Sequence, residues 1–512
     1  MAAAWDNIDP TKRSNLYFFK GPIMSGQINT GANARRRTDR MVETLLTPGL
    51  NPESDTPLNE QLMLLLQDAI LKGHLHAGDR LPASRAMATR LSLSRNTVLA
   101  AYDQLMAEGY LESRVGAGTF VSSDLPDHYL TVGDSPKAQT DRPSGRAKRP
   151  LSGMPALDQF PFALWARIAG RVWRHAGTSE LEHNDPAGYR PLREAIASYL
   201  QTARGVLADA DQIMITTGLQ QGLKFVTESI IPHDRTLILE DPGYPGILRT
   251  AESLPHKVAF TQVDNSGAVV PTKSREAPGM LLVTPSRHYP LGVTMPVSRR
   301  LELLEWAHET GAYILEDDYD SEFRYGGRPV QSLQGLDGGR HVIYGGSFSK
   351  SLFLSLRIGY LVLPPSMASR VIRHREQTES FPPLSDQMIL ERFIADGHFA
   401  RHLRRLRSIH KERLQCFFDT ASECLAPYLT LVPTDAGLHV VGLATPALAH
   451  MDDRKLAAAA HRAGLGAVPL SASYSHAKPQ KGLLFGFANM AEADMPARLA
   501  RFVRELDEIT GF

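Results

Sequence analysis

Lys350 lies three residues after Ser347 and seven before Arg357 in the stretch Tyr344–Tyr360, YGGSFSKSLFLSLRIGY. A lysine amine condenses with an aldehyde to a Schiff base, and a hydroxyl and a guanidinium on either side can hold a phosphate dianion. Upstream, Tyr313–Tyr325 reads YILEDDYDSEFRY, an apolar run that ends in Glu316, Asp317, Asp318 and Tyr319. This pattern predicts a buried strand that delivers polar groups at its C-terminal end, where open α/β sheets bind ligands. Taken together, the two segments suit pyridoxal 5′-phosphate, which acts as an electron sink only while its ring nitrogen is protonated, a state an Asp partner secures. Lys350 is assigned the Schiff base, Asp317 the ring nitrogen, Tyr319 the ring 3′-oxygen, and Ser347 and Arg357 the phosphate. A solvated acidic loop after a strand is the plainer reading of EDDYD, and the lysine motif downstream argues against it.

Two further segments must supply the walls of such a pocket. Ile213–Leu223, IMITTGLQQGL, reads as a strand, a Gly turn and a helix start. The backbone N–H groups of Leu219 and Gln220 at that helix N-terminus would bind phosphate. Leu237–Pro245, LILEDPGYP, reads as another strand ending in a turn. Tyr244 in that turn is placed either to stack on the pyridine ring or to pack the turn itself.

The segments DPAGYRPLREAIASYL (185–200), TTGLQQGL, EDPGYP, EDDYDSEFRY and SFSKSLFLSLRIGYLVLP occur in the order found in fold-type I aminotransferases of class I/II, and residues 151–512 resemble that family. The resemblance implies an α/β fold: a mixed, mostly parallel sheet with flanking helices and a small C-terminal α+β subdomain. It also implies a homodimer with its sites at the subunit interface. By position, Tyr289 of TPSRHYPLG stands where the family usually places an Asn beside the ring oxygen. His183 of HNDPAG stands where a tyrosine usually reaches the partner's cofactor phosphate. The late strand GLLFGFA (482–488) lacks the arginine that takes a substrate carboxylate, for which Arg287, or another arginine that the sequence does not identify, could substitute. These departures weigh against efficient transamination and leave Lys350, Asp317, Tyr319 and Arg357 untouched.

Ahead of this region, apolar residues at helical spacing predict a helix over 58–72, interrupted by Gly73 and Gly78. Ser84 is placed as the N-cap of a short helix, Arg85–Leu91, and Ser94 as the cap of a third, Arg95–Glu108. Two short helices joined by a tight turn form a helix-turn-helix, whose second helix reads the major groove with its N-terminal residues. Here those are Ser94, Arg95, Asn96 and Thr97. A β-ribbon starts at Gly109-Tyr110-Leu111, turns at Gly116-Ala117-Gly118 and closes with Thr119-Phe120-Val121, which is a wing. The stretch LPASRAMATRLSLSRNTVLAAYDQLMAEGYLESRVGAGTFV resembles the winged-helix domain of GntR regulators. That resemblance places DNA contacts at Arg85, Ser94, Arg95, Thr97 and Gly116, with Arg80 a weaker match. Pro57–Ser122 carries six Lys/Arg and six Asp/Glu, so the placement of Arg85 and Arg95, rather than bulk charge, argues for nucleic acid. A winged helix used only for protein contacts is the alternative.

A GntR-type winged helix joined to an aminotransferase-like region is the architecture of the MocR branch of GntR regulators. The resemblance implies a bacterial transcription factor that binds double-stranded operator DNA, and the reach of a linker of about 28 residues would let each winged helix dock on the partner's large domain, giving a head-to-tail homodimer. Its cofactor domain would sense an amine, an amino acid or pyridoxal phosphate. The expected organisation is a disordered extension over 1–56, the winged helix over 57–122, a basic, Pro-rich linker over 123–150 and the cofactor and dimerisation domain over 151–512.

Whole-chain properties agree. A length of 512 residues allows two or three domains, and a net charge of +1 argues against a generic polyanion binder. Cys416 and Cys424 are the only cysteines, which fits a reducing cytosol with no disulfide framework. No metal site is expected. No run approaches the ~18 apolar residues of a membrane span, and the N-terminus lacks the pattern of a signal peptide. A cytoplasmic protein with no membrane partner is expected. Three functions remain to be weighed: a regulator linked to pyridoxal phosphate, a working aminotransferase that carries a winged helix, and a regulator whose cofactor domain is only a dimerisation scaffold. The intact Lys350 set argues against the third, and the missing carboxylate arginine against the second.

Overall fold

The structure is a computed structural model that describes residues 46, 49–54, 56–114, 116–122, 152–182, 184–272, 277–326 and 331–510. Most of the expected N-terminal extension, all of the expected linker, and His183 lie outside the described residues. The chain divides into two compact units, Met1–Ser144 and Gly145–Phe512.

The first unit contains helices α1 (Leu58–Leu71), α2 (Ser84–Leu91) and α3 (Arg95–Ala107), followed by an antiparallel ribbon of β1 (Leu111–Arg114) and β2 (Gly118–Val121). Helical spacing of four brings Leu62, Leu66 and Ile70 of α1 onto one buried face, against Met87 and Leu91 of α2 and Val98, Tyr102 and Leu105 of α3. Each fully buried Leu or Ile contributes roughly 1.5–3 kcal/mol. Ser94 caps α3 by accepting a hydrogen bond from Thr97 N at 3.1 Å. Ser84 does not act as expected. It is the first residue of α2, the N-cap position falls to Ala83, and no side chain caps that end. The extended backbone of Ala83, directly after Pro82, sets the start of the helix instead, with Tyr102 Oη of α3 donating to Pro82 O at 3.0 Å. The ribbon gains a third element that the sequence pattern did not reveal: Arg80 bridges to Phe120, and Leu81 N donates to Thr119 O at 2.9 Å.

The second unit is built on an eight-stranded sheet. Its strands are β3 (Ile213–Thr216), β4 (Thr236–Asp241), β5 (Lys257–Asp264), β6 (Gly267–Ala268), β7 (Pro278–Val283), β8 (Tyr313–Asp318), β9 (Val342–Ser347) and β10 (Gly359–Val362). They lie in the order β3-β10-β9-β8-β7-β4-β5-β6. The run from β9 through β8, β7 and β4 to β5 is parallel, β10 is antiparallel to both its neighbours, and β6 is antiparallel to β5. Strands such as IMIT, TLILED and VIYGGS show little polar alternation because helices cover both faces. A smaller antiparallel sheet follows, β11 (Leu429–Leu431), β12 (His439–Ala444), β13 (Gly466–Pro469) and β14 (Gly482–Gly486), ordered β11-β12-β14-β13. The long helix His398–Leu425 leads into it, and the last helix, Met495–Thr510, packs on that long helix. Among the described residues, no helix is long and apolar enough to cross a membrane.

Candidate functional site

The C-terminal ends of β8 and β9, the turn after β3 and the loop after β9 converge on one cavity of about 340 Å³. Lys350, Asp317, Tyr319, Ser347, Arg357, Tyr244, Tyr289, Leu219 and Gln220 all line it. Residues more than a hundred positions apart are thus brought together at a single edge of the sheet. His183 lies outside the described residues.

Strand alternation sorts the acids of β8. Glu316 and Asp318 face one way and are bonded internally, Asp318 through Oδ2 alone. Glu316 accepts from Leu333 N and Gln334 N at 3.0 and 2.9 Å. Asp318 accepts from Arg204 Nε at 2.8 Å and from the Tyr344 hydroxyl. Asp317 faces the other way, into the cavity, and has no hydrogen-bond partner among the described residues. Burial, reinforced by the like charges of Asp318 and Asp320 and opposed by Lys350, pushes its carboxyl up to about 8. A cationic ring N–H is the kind of group that such a carboxyl lacks.

Lys350 Nζ donates to Gly153 O at 2.9 Å, an acceptor 197 residues away in sequence. Burial holds the Lys350 amine below the usual lysine value, against the pull of Asp320 and Asp317, which increases the fraction present as free amine. Opposite, Gly218 at φ 141 caps the helix Leu219–Ile230. The first amides of that helix have no intrahelical acceptors, so those of Leu219 and Gln220 are available to an anion. A Cβ at Gly218 would stand 3.9 Å from Arg357 Nη2, so the bare turn and the guanidinium face the same space. Arg357 itself, at φ 50, has no ion-pair or hydrogen-bond partner among the described residues. Ser347 Oγ accepts from Ser349 N at 3.2 Å. The donor set is complementary to the aldehyde, ring nitrogen and phosphate of pyridoxal 5′-phosphate.

The aromatic side of the cavity is a chain of edge-on contacts. Tyr244 meets Tyr289 at 5.5 Å between ring centroids, and Tyr289 meets Tyr319 at 6.1 Å. Burial pushes Tyr289 up to about 12, so it stays a neutral phenol. Behind Tyr319, Arg287 Nη1 reaches Tyr319 Oη at 3.3 Å and Asp320 Oδ2 at 3.1 Å, while Nη2 donates to His439 O at 2.9 Å. Gly437, at φ 78, is required there, because a Cβ would come within 2.3 Å of the guanidinium carbon. Arg287 therefore supports Tyr319 from behind and is fully buried in doing so, which removes it as a stand-in for the carboxylate-binding arginine. Gly153, Asp320 and His439 were not singled out from the sequence. Asp320 lay within the quoted motif, two residues past Asp318. Gly153 and His439 carry no local signal.

In the first unit, Arg85, Ser94, Arg95 and Asn96 are exposed, Thr97 is half-buried, and Gly116 is exposed at the ribbon turn with φ 74. Neither Arg85 nor Arg95 has an ion-pair partner among the described residues, so both side chains remain available to a ligand outside the fold.

Comparisons with known proteins agree with this division. The family described as "Bacterial regulatory proteins, gntR family" matches residues 58–121, and "Aminotransferase class I and II" matches residues 152–474. A probable rhizopine catabolism regulatory protein, MocR, from Rhizobium meliloti is 38% identical over 456 residues, covering 86% of this chain and 92% of that protein. The pyridoxine biosynthesis transcriptional regulator PdxR of Corynebacterium glutamicum is 32% identical over 444 residues, covering 86% and 94%. The α-aminoadipate aminotransferase of Thermus thermophilus, solved with N-(5′-phosphopyridoxyl)-L-leucine, covers 71% of this chain and 92% of its own at TM-score 0.62 and 24% identity, a likeness of fold. The chain belongs to the MocR-type, GntR-family transcriptional regulators, in which a GntR helix-turn-helix is joined to a class I/II aminotransferase-like domain.

Proposed function

We propose that this regulator holds pyridoxal 5′-phosphate on Lys350 and that a ligand amine, or the cofactor itself, controls its affinity for operator DNA. The observation that carries this reading is the convergence of Lys350, a partnerless Asp317, the bare turn at Gly218 and a partnerless Arg357 on one cavity, all among the described residues. When bound, the cofactor supplies an aldehyde that exchanges one amine for another. Asp317 holds the proton of the ring nitrogen, and Tyr319, braced by Arg287, donates to the ring 3′-oxygen. The amides of Leu219 and Gln220, with Ser347 and Arg357, take the phosphate. Tyr244 and Tyr289 close the aromatic side and limit water. Arg85, Ser94, Arg95, Asn96, Thr97 and Gly116 meet DNA.

Among amines, amino acids and pyridoxal phosphate as the sensed ligand, the lining favours an amine without an α-carboxylate, or the cofactor alone. Arg357 is the one arginine in the cavity wall among the described residues, and its place is at the phosphate. Turnover as an aminotransferase is disfavoured on the same ground. HNDPAG would reach a partner's pocket, which makes a homodimer the working unit, with two winged helices on two half-sites in the cytoplasm. Such a dimer is switched only by a ligand that prefers one arrangement of its domains.

The test is the DNA affinity of cofactor-loaded protein for a fragment it selects from a random pool, measured with and without amines that change its visible spectrum. The expected result is a dimer whose affinity changes with cofactor or with at least one such amine. A monomer at micromolar concentration, or affinity indifferent to every one of them, rejects the reading.

A further inference from the structure

A second cavity, of about 220 Å³, is lined by Arg287, whose guanidinium reaches Tyr319, and by Asp320. Its walls come from the helix Arg190–Arg204, the loop after β8, the long helix His398–Leu425 and the segment leading into β12. That loop and that segment are joined by backbone bonds from Tyr325 N to Asp435 O at 2.8 Å and from Gly437 N to Phe323 O at 2.7 Å. The cavity therefore sits where the large sheet meets the small one.

Its charges are unbalanced. Arg204 is paired with Asp318, and Arg287 with Asp320. Arg324 and Arg407 have no carboxylate partner among the described residues. Each is pinned through Nε alone: Arg324 donates to Gly326 O at 3.2 Å and Arg407 to Glu322 O at 2.6 Å. That leaves the Nη edges of two oriented guanidinium groups without an acceptor among the described residues. The acid in the wall that pairs with no arginine among the described residues, Glu322, is hydrogen-bonded to Tyr199 Oη at 3.2 Å, and burial pushes its carboxyl up to about 7, so it offsets this positive charge only in part. Planar guanidinium forks of this kind match carboxylate and phosphate oxygens.

We propose that this second cavity binds a small oxyanion, a carboxylate or phosphate metabolite, held by Arg324 and Arg407 and separate from the Lys350 site. The volume falls below the roughly 300–1,000 Å³ of sites for drug-sized ligands, which restricts the occupant to a small metabolite. Asp320 lines both cavities, and Arg287 links the second to Tyr319. An anion held there acts on the cofactor site through the wall the two share.

The experiment titrates full-length protein, saturated with pyridoxal phosphate, with glutarate and separately with inorganic phosphate, by calorimetry. Neither probe has an amine, so neither can exchange at Lys350. The expected result is saturable binding of one of the two at roughly millimolar or tighter. Arg324→Gln and Arg407→Gln should each weaken it about ten-fold or more, the effect of losing a charged hydrogen bond, in protein that remains folded at the assay temperature. Binding should persist in Lys350→Ala, so that failure of the Lys350 reading and failure of this one are distinguishable. Glutarate binding alone identifies a carboxylate site and phosphate binding alone a phosphate site. No saturable binding of either, or binding indifferent to both substitutions, overturns the proposal. Should one variant unfold, the other, on a different element, decides.

Discussion

In the winged-helix unit, Arg85 and Arg95 stand exposed without an ion-pair partner among the described residues. In the larger unit, Arg300 is fully buried and donates to three backbone carbonyls, Met295 O at 3.0 Å, Gln331 O at 2.7 Å and Pro285 O at 2.8 Å. The same side chain does two jobs. Exposed on a small domain, it keeps its hydrogen-bonding capacity for a large ligand that comes to it. Buried in a large one, it satisfies irregular backbone and fixes the loops that shape a cavity. Substitutions of exposed arginines in the first unit should therefore change recognition with little effect on stability, and those of buried arginines in the second should do the reverse. Lys350 stands apart from both, since its exchange acts on chemistry alone.

The largest expected effect is at that lysine. Lys350→Ala should remove the visible absorption of the lysine-bound cofactor completely, while weaker non-covalent binding persists. An unchanged band would refute the assignment. Arg300→Ala is the strongest test of the buried class. It leaves up to three carbonyls unsatisfied and should destabilise the fold by about 3 kcal/mol or more, read from denaturant unfolding. A loss under about 0.5 kcal/mol, typical of surface positions, would break the contrast. Arg95→Ala tests the exposed class. It should cost specific DNA binding about 1–3 kcal/mol and relax preference at one base pair, with the cofactor spectrum and melting temperature unchanged. A phosphate contact would instead weaken all sequences alike and lower the salt slope by about one. If neither quantity moves, α3 does not enter the groove.

The last effect is read from pH. Glu240 is buried behind the cavity and accepts from Thr284 N and Oγ1, and burial pushes its carboxyl up to about 8. An unfolded Glu loses its proton near about 4.3. Between these values the folded state holds a proton that the unfolded state has released, so raising the pH favours unfolding. The stability associated with protonated Glu240 is thus fully present below about pH 4.3 and is lost as the pH rises towards 8, by up to about 1.4 kcal/mol per pH unit. Glu240→Gln should flatten that slope by one proton's worth, measured by unfolding across the range. An unaltered slope would mean that Glu240 is ionised in the fold.

What could be read from sequence was local. The strand–turn–helix around Gly218, the acids at the end of β8, the Lys350 loop and the ribbon turn at Gly116 each occupy a dozen or so contiguous residues with strong patterns. The division of labour between Asp317 and Asp318 also follows from strand alternation. The long-range partners could not be read. The pairing of Arg204 with Asp318 spans 114 positions, and that of Lys350 with Gly153 spans 197. Whether Arg287 could substitute for the missing arginine was not legible, because a lone arginine in a loop gives no sign of which way its guanidinium faces. Ser84 failed as a cap for a related reason: its residue type fits, but the backbone places Ala83 at that position.

The contact between Lys350 and Gly153 limits how this protein can be dissected. Ser152 and Gly153 pass so close to β14 that a Cβ at Gly486 would come within 2.8 Å of Ser152 Cα, and Ser152 Oγ donates to Leu484 O at 3.2 Å. The lead-in strap of the larger unit is thus clamped against β14 of the small sheet and supplies an acceptor to the reactive lysine. A truncated protein designed to study the cofactor domain alone has to begin upstream of Ser152. One that starts a few residues later loses part of the cavity wall as well as the DNA reader, and its spectra would describe a different amine.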